Sequence, residues 1–152
     1  MNYFAILGKQ SGKALDANKS NQGELFLWDF NGGDNQLWFW DGELLRNKYF
    51  PNKVLDFHWN DYQRDSWGKV YLHDFNGGLN QKWQISGEEI ITKHNQSLRL
   101  DVYGSGSQNG TKVGCFKRNR NSNQKWIIQY GMYKHFLKMN FKIKVNSNFS
   151  TL

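Results

Sequence analysis

Asn35-Gln36-Leu37-Trp38, Asn80-Gln81-Lys82-Trp83 and Asn123-Gln124-Lys125-Trp126 are three occurrences of one string, Asn-Gln-x-Trp, in a chain of 152 residues. Their glutamines lie 45 and 43 residues apart. A fixed period of this size marks a repeated structural unit and has to be explained before any local feature. Ahead of each string stands a short apolar segment: Leu25-Phe26-Leu27-Trp28, Val70-Tyr71-Leu72-His73 and Val113-Gly114-Cys115-Phe116. Period-two alternation predicts strands that bury Leu25/Leu27, Val70/Leu72 and Val113/Cys115. Cys115 then stands where Leu27 and Leu72 stand and reads as a small buried hydrophobe.

Between these strands and the strings, the first two copies read Asp29-Phe30-Asn31-Gly32-Gly33 and Asp74-Phe75-Asn76-Gly77-Gly78. Asn-Gly supplies the positive φ of a tight hairpin. The third copy, Lys117-Arg118-Asn119-Arg120-Asn121-Ser122, has no glycine, so its loop is expected to differ in shape. Upstream, each copy contains Leu followed by Asp: Leu15-Asp16, Leu55-Asp56 and Leu100-Asp101. The Asp lies 12, 17 and 15 residues before the end of the next strand, as expected of a loop of tolerant length. A further strand heads each copy, at Tyr3–Leu7, Glu43–Arg46 and Glu89–Thr92. The unit therefore has four strands. Propeller blades have a similar length, but propellers typically need at least four of them. Three four-stranded units fit a threefold pseudo-symmetric barrel with a hairpin cap, and Trp38, Trp83 and Trp126 are expected to pack near its axis.

The composition agrees with an all-β chain: aromatic residues make up 16%, Gly occurs 15 times and Pro once. One cysteine rules out an internal disulfide. No stretch is long and apolar enough for a transmembrane helix or the core of a signal peptide. The expected location is cytoplasmic, or outside the cell after export without a signal peptide. The net charge of +7 is uneven: all 13 acidic residues lie within 1–101, while 102–152 holds nine bases and no acid. Those bases lack regular aromatic interleaving, so nucleic acid is an unfavoured partner, and the plain reading is a solvated basic face.

Enzymatic readings find little support. His58, His73, His94 and His135 show no metal-ligand spacing, and neither a nucleophile elbow nor a phosphate-cradling loop is present. Threefold repetition also spreads the carboxylates over equivalent positions, where a glycosidase needs two unlike ones at a single bond. The expectation is no catalysis, no cofactor and no metal.

In all three copies the order Leu-Asp, alternating strand ending in an aromatic or His, then Asn-Gln-x-Trp, resembles the ricin B-type β-trefoil lectins. The resemblance covers residues 1 to about 130 and departs from the secreted relatives in lacking disulfides. It implies one β-trefoil domain over 1–131, with repeats at about 1–41, 42–86 and 87–131. It further implies a lectin for galactose or N-acetylgalactosamine termini, multivalent through up to three shallow sites. By the resemblance Asp16 holds the hydroxyls in the first repeat, Trp28 stacks, Asn35 bonds a hydroxyl and Gln36 braces the pocket. Asp56, His73, Asn80 and Gln81 stand at those places in the second repeat, and Asp101, Phe116, Asn123 and Gln124 in the third. Such a trio suits a sugar, whose hydroxyl ring needs donors and acceptors and whose C–H patch stacks on a flat ring. Two other readings stay open at this stage: a trefoil interaction protein without a sugar site, such as a protease inhibitor or cytoskeletal adaptor, and a polyanion binder using the basic C-terminal half. Residues 132–152 alternate Met139, Phe141, Ile143 and Val145 with Lys138, Asn140, Lys142 and Lys144. This predicts an added strand that packs on its own barrel or forms a homodimer with a second subunit.

Overall fold

The computed structural model describes residues 1–131, so the expected tail strand and any dimer contact through it lie outside the described residues. Twelve strands occur in three groups of four. The first group is β1 (Phe4–Gly8), β2 (Ala14–Ala17), β3 (Leu25–Trp28) and β4 (Trp38–Asp41). The second is β5 (Leu44–Asn47), β6 (Val54–Phe57), β7 (Gly68–His73) and β8 (Trp83–Ser86). The third is β9 (Glu89–Thr92), β10 (Leu98–Val102), β11 (Val113–Lys117) and β12 (Trp126–Tyr130).

Outer strands of the repeats pair antiparallel into a closed barrel. β4 meets β5 from Trp38↔Asn47 to Asp41↔Leu44, and β8 meets β9 from Trp83↔Thr92 to Ser86↔Glu89. β12 returns to β1 from Phe4↔Tyr130 to Gly8↔Trp126, and this closes the ring. Within a repeat the first and last strands touch briefly: Phe4 pairs with Trp38, Trp83 N donates to Glu43 O at 2.9 Å, and Trp126 N to Glu88 O at 2.8 Å. Closure leaves few unpaired strand edges exposed to association. The inner strands, β2–β3, β6–β7 and β10–β11, form the three hairpins of the cap. This is the β-trefoil.

The repeated tryptophans explain why the string recurs. Trp38, Trp83 and Trp126 are buried, and their indole N–H groups donate to the carbonyls of Leu15, Leu55 and Leu100 at 3.1, 2.9 and 3.0 Å. Each therefore fills the core and ties the barrel to the strand that carries the Asp. Leu25, Leu27, Val70, Leu72, Val113 and Cys115 all face this core, as the alternation predicts. Cross-strand pairs Leu15↔Leu27, Leu55↔Leu72 and Leu100↔Cys115 fix one register for all three hairpins.

Two local expectations are corrected. The Asn-Gly segments do not close hairpins; they join β3 to β4 and β7 to β8, which are not neighbours in the sheets. The third loop does not differ in shape either. Arg120 adopts φ 63°, beside 74° for Gly32 and 78° for Gly77. In each loop the Asn side chain accepts from the backbone N–H two residues on, at 2.8 to 2.9 Å. That Asx turn, together with the anchored ends, forces the left-handed position onto an arginine. The long connection in the second repeat contains a helix, α1 (Trp59–Asp65). Seven residues cannot hold a helix alone. Packing of Tyr62 on Phe57, with ring centroids 6.3 Å apart, and of Trp59 on His94 supports it.

Candidate functional site

Each Asp sits on the first strand of a cap hairpin, and each Asn-Gln sits on a 3-10 turn just before the last strand of the same repeat. The turn brings both amides onto the carboxylate. Asn35 Nδ2 donates to Asp16 Oδ1 at 2.8 Å and Gln36 Nε2 to Oδ2 at 2.9 Å. Asn80 and Gln81 do the same to Asp56 Oδ1 and Oδ2 at 3.1 and 2.7 Å. In the third repeat both donors land on one oxygen, with Asn123 3.1 Å and Gln124 2.8 Å from Asp101 Oδ2.

The glutamines have little capacity left. Besides the carboxylate, Gln36 Nε2 donates to Asp29 O, Gln81 Nε2 to Asp74 O and Gln124 Nε2 to Lys117 O. Their Oε1 atoms accept the backbone N–H of Asn31, Asn76 and Asn119. Gln36, Gln81 and Gln124 are fully buried, so the geometry makes them braces between cap strand, loop and barrel. The carboxylates differ. Asp16, Asp56 and Asp101 are 3–4% exposed, and this burial raises the pKa of all three against the opposing amide bonds, for Asp101 to about 6. An ionised carboxylate offers about four lone-pair sites. Two are filled on Asp16 and on Asp56, which leaves each carboxylate with further acceptor capacity.

The cap register decides what stands beside each carboxylate. Asp16 is directly opposite Phe26, Asp56 opposite Tyr71, and Asp101 opposite Gly114. Trp28, His73 and Phe116 stand two residues further along those strands, on the same face and exposed. In the first two repeats they form edge-on pairs, Phe26–Trp28 at 5.8 Å and Tyr71–His73 at 5.7 Å between centroids. Sequence reasoning missed Phe26 and Tyr71, although the aligned pairs Leu15/Leu27 and Leu55/Leu72 would have found them: counting one residue outward from each lands on Asp and ring.

In the third repeat an indole from the second takes the ring's place. Trp67 precedes β7, which pairs with β11 at Gly114↔Lys69 and Cys115↔Gly68. A Cβ on Gly114 would lie 2.5 Å from the Trp67 ring and 2.4 Å from the Gly68 carbonyl oxygen. The indole Nε1 is buried without a hydrogen bond of good geometry, yet it lies near enough to Asp101 to lower that carboxyl's pKa against the larger effect of burial. Tyr103 meets Trp67 edge-on, with ring centroids 5.2 Å apart. Two clefts flank these rings, one of about 440 Å³ beside His58, Tyr71 and His73, and one of about 580 Å³ beside Trp67 and Tyr103.

Comparison with known proteins agrees with the architecture. The family described as ricin-type beta-trefoil lectin domain matches residues 2–126. Among solved structures, the earthworm R-type lectin C-half in complex with GalNAc is 24% identical with TM-score 0.71, covering 86% of this chain and 99% of that one. The designed threefold symmetric protein ThreeFoil is 24% identical with TM-score 0.69, covering 84% and 97%. The β-trefoil lectin of the Vibrio vulnificus hemolysin/cytolysin, with N-acetyl-D-lactosamine bound, is 18% identical with TM-score 0.70, covering 86% and 95%. No curated protein matches the sequence.

Proposed function

The chain belongs to the ricin-type β-trefoil lectin family, and from that premise we propose that it is a non-enzymatic lectin recognising galactose or N-acetylgalactosamine termini through shallow sites on its cap. The observation that carries this reading is the carboxylate held by two amides beside an aromatic ring on the neighbouring strand, present in the first repeat with Asp16 and Phe26 and in the second with Asp56 and Tyr71. The carboxylate accepts two neighbouring hydroxyls, which discriminates between sugars that differ in their arrangement, while the ring covers the C–H face. Asn35 and Asn80 orient the carboxylate and sit at the edge of the pocket. Trp28 and His73 extend the platforms. In the third repeat Trp67 takes the place that Phe26 and Tyr71 hold in the others, so Asp101, Asn123 and Phe116 lack the ring platform of the first two sites.

Shallow pockets of this kind bind single sugars near millimolar, about −4 kcal/mol. A glycan array followed by calorimetric titration tests the proposal. Galactose- and N-acetylgalactosamine-terminated glycans are expected to bind, and glucose-terminated ones to bind at least about tenfold more weakly. Loss of binding is expected in a Phe26→Ala/Tyr71→Ala variant. A wild-type protein that binds no glycan sinks the reading; one that binds unchanged in the double variant sinks the site assignment.

A further inference from the structure

Asp29 and Asp74 open the loops that follow β3 and β7, and each is neutralised by the lysine that precedes its hairpin, Lys13 at 2.6 Å and Lys53 at 2.9 Å. In the third repeat the equivalence of Leu15↔Leu27, Leu55↔Leu72 and Leu100↔Cys115 carries these two positions to Lys117 and Leu98, which lie directly opposite each other. An acid with its base has become a base facing a buried leucine. Lys117, Arg118 and Arg120 are all exposed. Arg118 shares Glu89 with Arg99, at 3.1 and 2.8 Å, so one carboxylate serves two guanidinium groups. Lys117 and Arg120 have no ion-pair partner among the described residues, and the sequence holds no Asp or Glu after Asp101. The loop that displays them is fixed. Gln124 donates to Lys117 O at 2.7 Å and accepts the Asn119 N–H at 2.9 Å, and Asn119 accepts the Asn121 N–H at 2.8 Å.

We infer that the third-repeat loop is a docking surface for an anionic phospholipid membrane, with Lys117 and Arg120 meeting the lipid headgroups. The first two loops present Asp29, Asp34 and Asp74 at this point of the fold and do not suit such a partner. Three bases bunched on one braced turn form a compact positive cluster, and a fluid leaflet suits it because its headgroups rearrange around a fixed charge. A nucleic acid is held by bases spaced along a strand with rings between them, or by an element that enters a groove. The sequence beyond the described residues repeats the chemistry of a lipid interface. Lys138, Lys142 and Lys144 alternate there with Met139, Phe141, Ile143 and Val145, bases for headgroups beside apolar side chains for the acyl boundary. The surface belongs to the repeat whose carboxylate lacks the ring platform, so it uses no residue of the first two sugar sites.

Sedimentation of the full chain with phosphatidylcholine vesicles containing about 30% phosphatidylserine, against vesicles of phosphatidylcholine alone, tests the inference. No sugar takes part, so the outcome is independent of the lectin reading. The chain is expected to sediment with the anionic vesicles only, and to be released in about 0.5 M salt. Lys117→Asp/Arg120→Gly gives the loop the residues that the first two repeats hold at those positions, and thermal unfolding checks that the variant is folded. Its binding is expected to be at least about tenfold weaker, since three units of charge are removed at the contact. A Lys19→Asp/Lys69→Gln variant changes the net charge equally at other exposed positions and is expected to bind within about twofold of wild type. Equal sedimentation with both kinds of vesicle, unchanged binding in the loop variant, or equal loss in both variants overturns the inference. No sedimentation with the anionic vesicles overturns it as well, and retention of a labelled single-stranded oligonucleotide in that case assigns the loop to nucleic acid.

Discussion

Asp16 and Asp56 each receive their two amides on separate oxygens, whereas Asp101 receives both on one. Replacement by Asn is therefore unequal. At 16 or 56 the new amide nitrogen faces a donor from Asn or Gln, so one bond is lost and two N–H groups oppose each other. At 101 a single amide oxygen can accept both bonds. Asp16→Asn and Asp56→Asn are expected to lose at least about 1 kcal/mol more stability than Asp101→Asn, measured by urea unfolding at pH 7. Asp101 also gives a pH signature. Burial raises its folded pKa from 3.8 to about 6, so the folded chain holds this proton more tightly than the unfolded chain. Its contribution to stability therefore falls as pH rises from about 4 to 6. Subtracting the Asp101→Asn profile from wild type isolates this slope; a flat difference over that window would refute it.

At the scale of elements, the sequence announces what its periodicities control. The strings, the Leu-Asp pairs and the alternating segments specify twelve strands, three hairpins and the faces that carry Asp16, Asp56 and Asp101, because core burial and register repeat with the string. Features without a periodic signature stay hidden: α1, and Trp67, which reaches the third repeat through the β7–β11 contact between distant parts of the chain, while Phe26 and Tyr71 emerge once Leu15 is set against Leu27 and Leu55 against Leu72. Arg120 shows how local chemistry yields to context. It holds a conformation that normally costs an L residue about 1 kcal/mol or more. Arg120→Gly is expected to raise stability by up to about 1 kcal/mol, the relief of strain being partly offset by a freer unfolded chain. Gly32→Ala and Gly77→Ala are expected to lower it by about 1 kcal/mol each. Gly114→Ala should cost more, about 1–3 kcal/mol, since its Cβ meets backbone at Gly68 as well as the Trp67 ring, and backbone cannot swing aside as a side-chain tip does. Thermal unfolding ranks the four variants, and a shift in indole fluorescence accompanying Gly114→Ala would report displacement of Trp67.

For the molecule as a whole, the threefold frame carries unequal cap sites. The barrel and its three buried tryptophans constrain every repeat alike, while the cap face varies from Phe26 with Trp28, to Tyr71 with His73, to Gly114 beneath Trp67. The lectin proposal, with sites at Asp16/Phe26 and Asp56/Tyr71, predicts a stoichiometry of two galactose-type sugars per chain. It also predicts binding to a dense galactose surface that exceeds the single-site affinity by roughly 10²-fold or more, because the second contact forms at high effective concentration. Tyr71→Ala separates these two quantities. It removes one site and leaves the other untouched, so calorimetry is expected to show half the sites at unchanged affinity. Retention on the dense surface should fall at least about tenfold. Were retention to fall only by half, the two sites would be acting independently, and the geometry of the cap would not permit one chain to engage both at once.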